Sequence, residues 1–205
     1  MAQQPLAGID LQGDLRTEEE LVRRIRQGDT GAFERLLHLY WDDLLGYAES
    51  LTLDRDAAKD AVQDVFARLW ERREEWRSDC PVRLYLFRAV RNRIIDAHRR
   101  SRVWERWRMR WSGELRWTPR LPDSVFEETE LAAELERAIA SLPERRREIF
   151  VLAHLQDFTY REIAELLDLS PQTVANHMSL ALRDLRRRLG RRLGGGDAVV
   201  GEVGA

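Results

Sequence analysis

A single cysteine, Cys80, stands among 205 residues, and Lys59 is the one lysine. One thiol excludes an intrachain disulfide, and with only four scattered histidines there is no Cys/His cluster suited to zinc. No metal or other cofactor is expected. No apolar stretch approaches the ~20 residues of a membrane-spanning helix, so membrane insertion is not expected. The opening residues Met1 to Leu6 have neither the basic nor the apolar region of a secretion signal, and the expected compartment is the cytoplasm. Apolar/polar alternation at period two is absent, which removes the usual signal for strands. Paired carboxylates, nucleophile–base sets and phosphate-cradling glycine loops are missing too, so no enzymatic activity is expected.

What remains is a helix-forming chain, 43% hydrophobic and 34% charged. Its net charge of −2 is too small for a generic nucleic-acid coat. The distribution says more than the sum. Residues 10–79 hold 11 basic and 18 acidic groups, and residues 83–120 hold 12 and 3. Residues 121–140 hold 1 and 6, and residues 141–193 hold 10 and 7. Such alternation suits a protein partner on one face and phosphates on another.

Periodicity predicts an all-α protein of two small helical domains joined by a flexible linker. The first domain spans residues 15–100. A Thr17/Glu20 capping box opens a helix through about Gln27, and Gly28 to Gly31 form a turn. Ala32 to about Leu51 is the next helix. A third, capped by Asp54 or Asp56, runs to about Arg73, with Val62, Val65, Phe66 and Leu69 on its apolar stripe. A loop over 74–81 precedes a long helix from Val82 past Arg100. Ser112-Gly113, Thr118-Pro119 and Leu121-Pro122 break residues 101–128 into a linker. The second domain spans 129–193, and a disordered tail is expected over 194–205.

Two helix starts near the end of the second domain sit close together. Thr159 and Glu162 form a T-x-x-E capping box, and Ser170 precedes Pro171 as N-cap. Between them lie a two-turn helix and a turn at Asp168-Leu169. Val174, Met178, Ala181, Leu185 and Leu189 form the buried stripe of the following helix. At 100° per residue the opposite side carries Gln172, Asn176, Ser179, Arg183 and Arg187. This pattern is a helix-turn-helix, whose second helix reads base edges and clamps phosphates.

Three segments in one order then carry a resemblance. Asp60-Ala-Val-Gln-Asp-Val-Phe-Ala-Arg-Leu-Trp70 resembles the core-binding helix of region two of bacterial RNA polymerase sigma factors. Tyr85 to Arg99 resembles the promoter-melting helix that follows it. Leu142 to Val151, together with the helix-turn-helix, resembles region four. Order, spacing and length are similar to the extracytoplasmic-function (ECF) subfamily. The resemblance implies a factor that directs promoter-specific initiation by core RNA polymerase. Asp60, Gln63, Asp64, Phe66 and Trp70 would meet the clamp helices of the largest subunit, and the flap would be a further polymerase contact. Tyr85, Arg88, Arg91, Asn92, Arg99 and Arg100 would capture and melt the "minus ten" element. Arginines hold the phosphate backbone and aromatics stack on unpaired bases. The loop holding Ser78 and Asp79 lies where relatives keep a flipped base. Gln172, Thr173, Asn176, His177, Arg183 and Arg187 would bind the "minus thirty-five" duplex. A cognate anti-sigma factor is common in the subfamily.

Other readings stand beside these. Tyr85 and Trp76 suit core packing as well as base stacking. The acidic edge of the 60s helix also suits plain solvation. Trp104, Trp107, Trp111 and Trp117, interleaved with arginines, could complete a core, contact a protein or stack on DNA. The Ser170 to His177 segment also resembles LuxR-type response regulators, which makes a dimeric helix-turn-helix regulator the alternative function.

Overall fold

The computed structural model describes residues 11–77, 80–100 and 130–193. Helix α1 is Leu11–Arg26, α2 is Thr30–Thr52 and α3 is Arg55–Glu71. A 3-10 turn, Arg73–Glu75, leads towards α4, Val82–Arg100. Then come α5, Glu130–Ala140, α6, Glu144–His154, α7, Tyr160–Leu167, and α8, Pro171–Leu193. No strand occurs among the described residues. The Trp/Arg-rich segment 101–129, Ser78, Asp79 and the tail from Gly194 lie outside them.

Local chemistry sets the boundaries. Asp29 caps α2 by accepting the Ala32 N–H at 3.0 Å, and its other oxygen holds Arg24 at 2.6 and 2.8 Å. Gly28, at φ +85°, makes the left-handed turn that ends α1. Asp54 caps α3 through the N–H groups of Asp56 and Ala57. The predicted Thr159 box is complete: its hydroxyl takes the Glu162 N–H, and the Glu162 carboxylate takes the Thr159 N–H at 2.8 Å. Ser170 Oγ accepts the Thr173 N–H at 3.1 Å.

Two local expectations are corrected. Thr17 does not start a helix, because α1 is already running from Leu11 and the Glu20 carboxylate is taken by Arg23 at 2.6 and 2.9 Å. The turn before α2 is shorter than expected, because the Asp29 cap brings Thr30 and Gly31 into the helix.

Helix α2 is the hub. It packs against α1, α3 and α4 on one side and against α6 on another. Its Leu36, Leu44 and Tyr47 are buried with Ile25, Val62, Leu86 and Phe87. Ile149 and Leu152 of α6, Ile163 of α7, and Val174, Met178 and Ala181 of α8 fill the core beneath the helix-turn-helix. Each of the Val, Leu, Ile, Phe and Met side chains among them contributes about 1.5–3 kcal/mol by leaving water. Ala164 is buried where α7 and α8 pack together.

Thr159→Ala should lower the stability of the helix-turn-helix by about 1 kcal/mol, because the Glu162 N–H at the start of α7 loses its acceptor and the Glu162 carboxylate loses one of its two donors. Urea denaturation followed by circular dichroism measures this. An unchanged midpoint would contradict the cap's role.

Candidate partner and nucleic-acid interfaces

Three surfaces emerge from this packing. The first is a groove of about 700 Å³ between α2 and α3. Aromatic rings form its floor and walls. Trp41 stacks on Phe66 with centroids 6.2 Å apart, and Phe33 meets Trp70 at 4.9 Å. The Arg73 guanidinium lies 4.7 Å above the Trp70 ring. Gln63, Phe66 and Trp70 all line this groove, together with His38 and Asp42. Phe66 is only 3% exposed and serves as floor, whereas Gln63 and Asp60 are exposed. Leu39, on α2, is the large apolar side chain most open to solvent among the described residues, at 61%. Asp64 points away from the groove, pairing with Arg93 of α4 and, at 3.0 Å, with Arg68 one turn along its own helix. Of the five residues predicted for the core-binding helix, Gln63, Phe66 and Trp70 line the groove, Asp64 makes a helix–helix bridge, and Asp60 is exposed outside the groove's lining.

The second surface is a cleft of about 400 Å³ between α3, the 3-10 turn and α4. Tyr85 and Asn92 both line it. Trp76 is buried and packs against Tyr85 with ring centroids 5.6 Å apart. Burial is the main cause that pushes the Tyr85 phenol above its ordinary range. The cleft also carries Arg68, Arg72 and Arg93, which sequence reasoning passed over. A count of positive side chains on α3 and α4 together would have found them, since the cleft needs both helices.

Arg88 and Arg91 are not in this cleft. They face α6 and α7. Arg91 Nε donates to Glu148 at 2.8 Å, and Arg88 donates to the Glu165 backbone carbonyl at 2.9 Å. The set predicted from sequence as one exposed side of α4 is thus parted between two faces. Arg99 and Arg100 end the helix, with side chains outside the described residues.

The third surface is the outer side of α8. Gln172, Asn176, Ser179, Arg183 and Arg187 are exposed, while Val174, Met178, Ala181 and Leu185 are buried. Gln172 Nε2 donates to Asn176 Oδ1 at 3.1 Å, which aligns two amide side chains side by side. Thr173 is half-buried and shares its hydroxyl with Ser170 at 2.8 Å. His177 is half-buried, and its Nδ1 is enclosed without a hydrogen-bond partner. Arg187 donates to Asp184 at 3.0 Å, and the same buried carboxylate holds Arg146 of α6 at 2.6 Å.

Residues 36–103 match the family model described as Sigma-70 region 2, and residues 132–185 match that described as Sigma-70, region 4. The chain is 31% identical over 173 residues to the ECF RNA polymerase sigma factor RpoE of Cereibacter sphaeroides, across 82% of this chain and 93% of that one. The protein belongs to the ECF sigma factors. This sigma factor is also 23% identical to the RNA polymerase sigma factor YlaC of Bacillus subtilis, over 77% of its own length and 92% of that protein's. In fold it is similar to the sigma factor RpoE of Bartonella quintana, solved with the anti-sigma factor NepR, at a TM-score of 0.60 and 22% identity. That match covers 77% of this chain and 96% of that one. CnrH, solved with the cytosolic domain of CnrY, gives a TM-score of 0.59 at 23% identity, over 83% and 96% of the two chains. The LuxR-type alternative is set aside, because the N-terminal half matches region two and shows helices where a receiver would need alternating strands.

The burial pattern separates residues that build the groove from residues that line it. Phe66→Ala should cost about 3–5 kcal/mol of folding stability. Gln63→Ala should change it by no more than about 0.5 kcal/mol. Chemical denaturation of the two variants checks this, and equal losses would contradict the assignment.

Proposed function

We propose that this sigma factor divides its work among the three surfaces. The α2–α3 groove with the exposed edge of Asp60 and Gln63 receives core RNA polymerase, as the family resemblance implies for the clamp helices of the largest subunit. An acidic rim around an aromatic trough suits a basic helix with apolar side chains. Asp64 contributes by bridging α3 to α4, so it holds the groove's back wall in register with the next surface. In domain terms, residues 15–100 act in polymerase binding and melting, 101–128 link, and 129–193 read duplex DNA.

The α3–α4 cleft is assigned to the "minus ten" element. Tyr85 and Asn92 offer stacking and hydrogen bonding to an unpaired base, while Arg72 supplies positive charge for its phosphates and Arg68 and Arg93 are held at the cleft wall by Asp64. Favourable contacts to the open strand offset an unstacking cost of a few kcal/mol per base. No bond is made or broken by these side chains. Polymerase supplies the catalysis, and the sigma factor supplies choice of site and strand capture. We place the protein in the cytoplasm with that enzyme. No helix among the described residues is long and apolar enough to cross a membrane.

The observation that carries the assignment is the clean division of α8 into a buried apolar stripe and an exposed polar face. Gln172 and Asn176 at its start match the amide side chains that read adenine in a major groove, and Arg183 and Arg187 further along reach phosphates. An anti-sigma factor is a further partner we assign to the chain, since the similar sigma factor of Bartonella quintana was solved with the anti-sigma factor NepR.

Asn176→Ala should weaken holoenzyme binding to its specific promoter by about 1–3 kcal/mol and flatten its preference at one base pair. Arg183→Ala should weaken binding to every duplex alike and lower the salt dependence by roughly one counterion. Filter binding on specific and scrambled duplexes separates the two. Equal losses on both duplexes for Asn176→Ala would overturn its base-reading role.

A further inference from the structure

Among the described residues two buried carboxylates each hold a pair of arginines, and they differ in what those arginines can still reach. Glu148 of α6 is 4% exposed. It accepts from Arg91 of α4 at 2.8 Å, from the Tyr47 hydroxyl of α2 at 3.2 Å and from Arg145 of its own helix at 2.8 Å. Next to it, the buried guanidinium of Arg147 crosses to the Ser50 carbonyl at the end of α2 at 2.8 Å. These contacts tie the second helical half to the first. Asp184 of α8 is a different case. It is 7% exposed, and both its arginines belong to the second half. Arg146 of α6 donates to one oxygen at 2.6 Å, and Arg187 of α8 donates to the other at 3.0 Å. The two arginine side chains remain 28% and 58% exposed.

A guanidinium carries five N–H donors, and a single bond to Asp184 uses one of them. The others are left for a second anion. One carboxylate between two guanidinium groups also leaves the group of three with a net positive charge. Its place on α8 says which anion that is. At about 100° per residue, Arg187 lies about 40° around the helix from Arg183, on the exposed face, and Asp184 lies about 100° around, at the border of the buried stripe. Arg146 therefore arrives beside the exposed face. At about 1.5 Å per residue, Arg187 stands about 16 Å along the axis from Asn176. A major groove is about 12 Å wide. With Asn176 at the base edges, Arg187 has passed the width of the groove and meets a strand backbone. Contacts to that backbone fix the register in which base edges are read.

We propose that Arg146 and Arg187 form a two-arginine clamp on the duplex backbone, with Asp184 as the positioning residue that holds both guanidinium groups side by side. Arg146 is thereby a DNA contact supplied from outside the helix-turn-helix. This rests on the duplex-reading role of α8 given above. An unheld arginine loses rotamer freedom when it meets a phosphate, whereas one already held by a carboxylate loses less. The same carboxylate docks α6 against α8, so the clamp and the recognition helix keep one spacing. Asp184 takes no part in reading bases. It sets where the helix stops along the groove.

The test measures holoenzyme binding across a salt series, at a temperature that keeps the strands paired. The probes are a duplex carrying a promoter found by run-off transcription and a scrambled duplex. Arg146→Gln should weaken binding to both by about fivefold and lower the salt slope by about one, with the ratio between the two duplexes unchanged. Lower thermal stability with an unmoved salt slope would make Arg146 a packing residue only, and would overturn the proposal. So would a loss confined to the promoter duplex. Asp184→Asn separates positioning from charge. Removing a negative charge beside DNA tightens binding if charge is all that matters. The clamp instead requires weaker binding to both duplexes, with part of the loss recovered by Asp184→Glu, and tighter binding overturns it. If Asp184→Asn does not fold, the partly exposed Arg146→Gln decides alone. Asn176→Ala and Arg183→Ala keep the two readings apart. If they act as expected while Arg146→Gln is silent, the clamp falls and the duplex-reading role stands. If they are silent as well, the duplex-reading role of α8 falls and the clamp falls with it.

Discussion

The carboxylate of Glu148 has to be neutralised inside the protein, and its partners come from three helices. Removing one partner of a buried ion pair costs about 3–5 kcal/mol, because the charge left behind stays out of water. The arrangement of α2, α4 and α6 is therefore fixed by Tyr47, Arg91 and Arg145 converging on one site. Tyr47 shows the same environment from the other side. Burial first, and then the neighbouring Glu148 charge, push its phenol well above the ordinary range, so it remains a proton donor. Arg147 adds a second crossing, and burial draws its guanidinium below its usual value. Hydrophobic contacts such as Phe87 with Phe158 bring the halves together. The polar pairs decide the register in which they meet.

That junction shares α2 and α4 with the functional surfaces. One side of α2 lines the aromatic groove through Phe33, Leu37 and Trp41, while Tyr47 lies buried at the junction. One side of α4 forms the Tyr85–Asn92 cleft, another fills the core with Leu86, Val90 and Ile94, and a third presents Arg88 and Arg91 to the second half. A long helix with three occupied sides cannot move independently of what it touches. Polymerase binding, strand capture and domain packing are thereby coupled through two helices.

Much of this was readable from the chain. The capping residues Asp54, Thr159 and Ser170 are local signals, since each acts within three residues of itself, and the structure places them at helix starts. The α8 stripe follows from a 3.6-residue period over four turns. Charge could not be read so simply. Arg91 and Asp64 looked solvent-facing because a helical wheel shows only that they are off the apolar stripe. Their partners Glu148 and Arg93 lie 57 and 29 residues away. Phe66 sat on both the stripe and the partner edge, and only the packing of Trp41 upon it decides that it is floor. The Thr17 box misled because its Glu20 had a closer use in Arg23.

The central claim is that this chain gives core RNA polymerase a promoter specificity it otherwise lacks. Run-off transcription tests it directly: purified core enzyme, with and without the protein, on a library of promoter fragments from the genome that encodes it. The account predicts new transcripts from a small, sequence-related set of fragments, absent with core alone. Unchanged transcription, accompanied by tight duplex binding from the protein by itself, would contradict it.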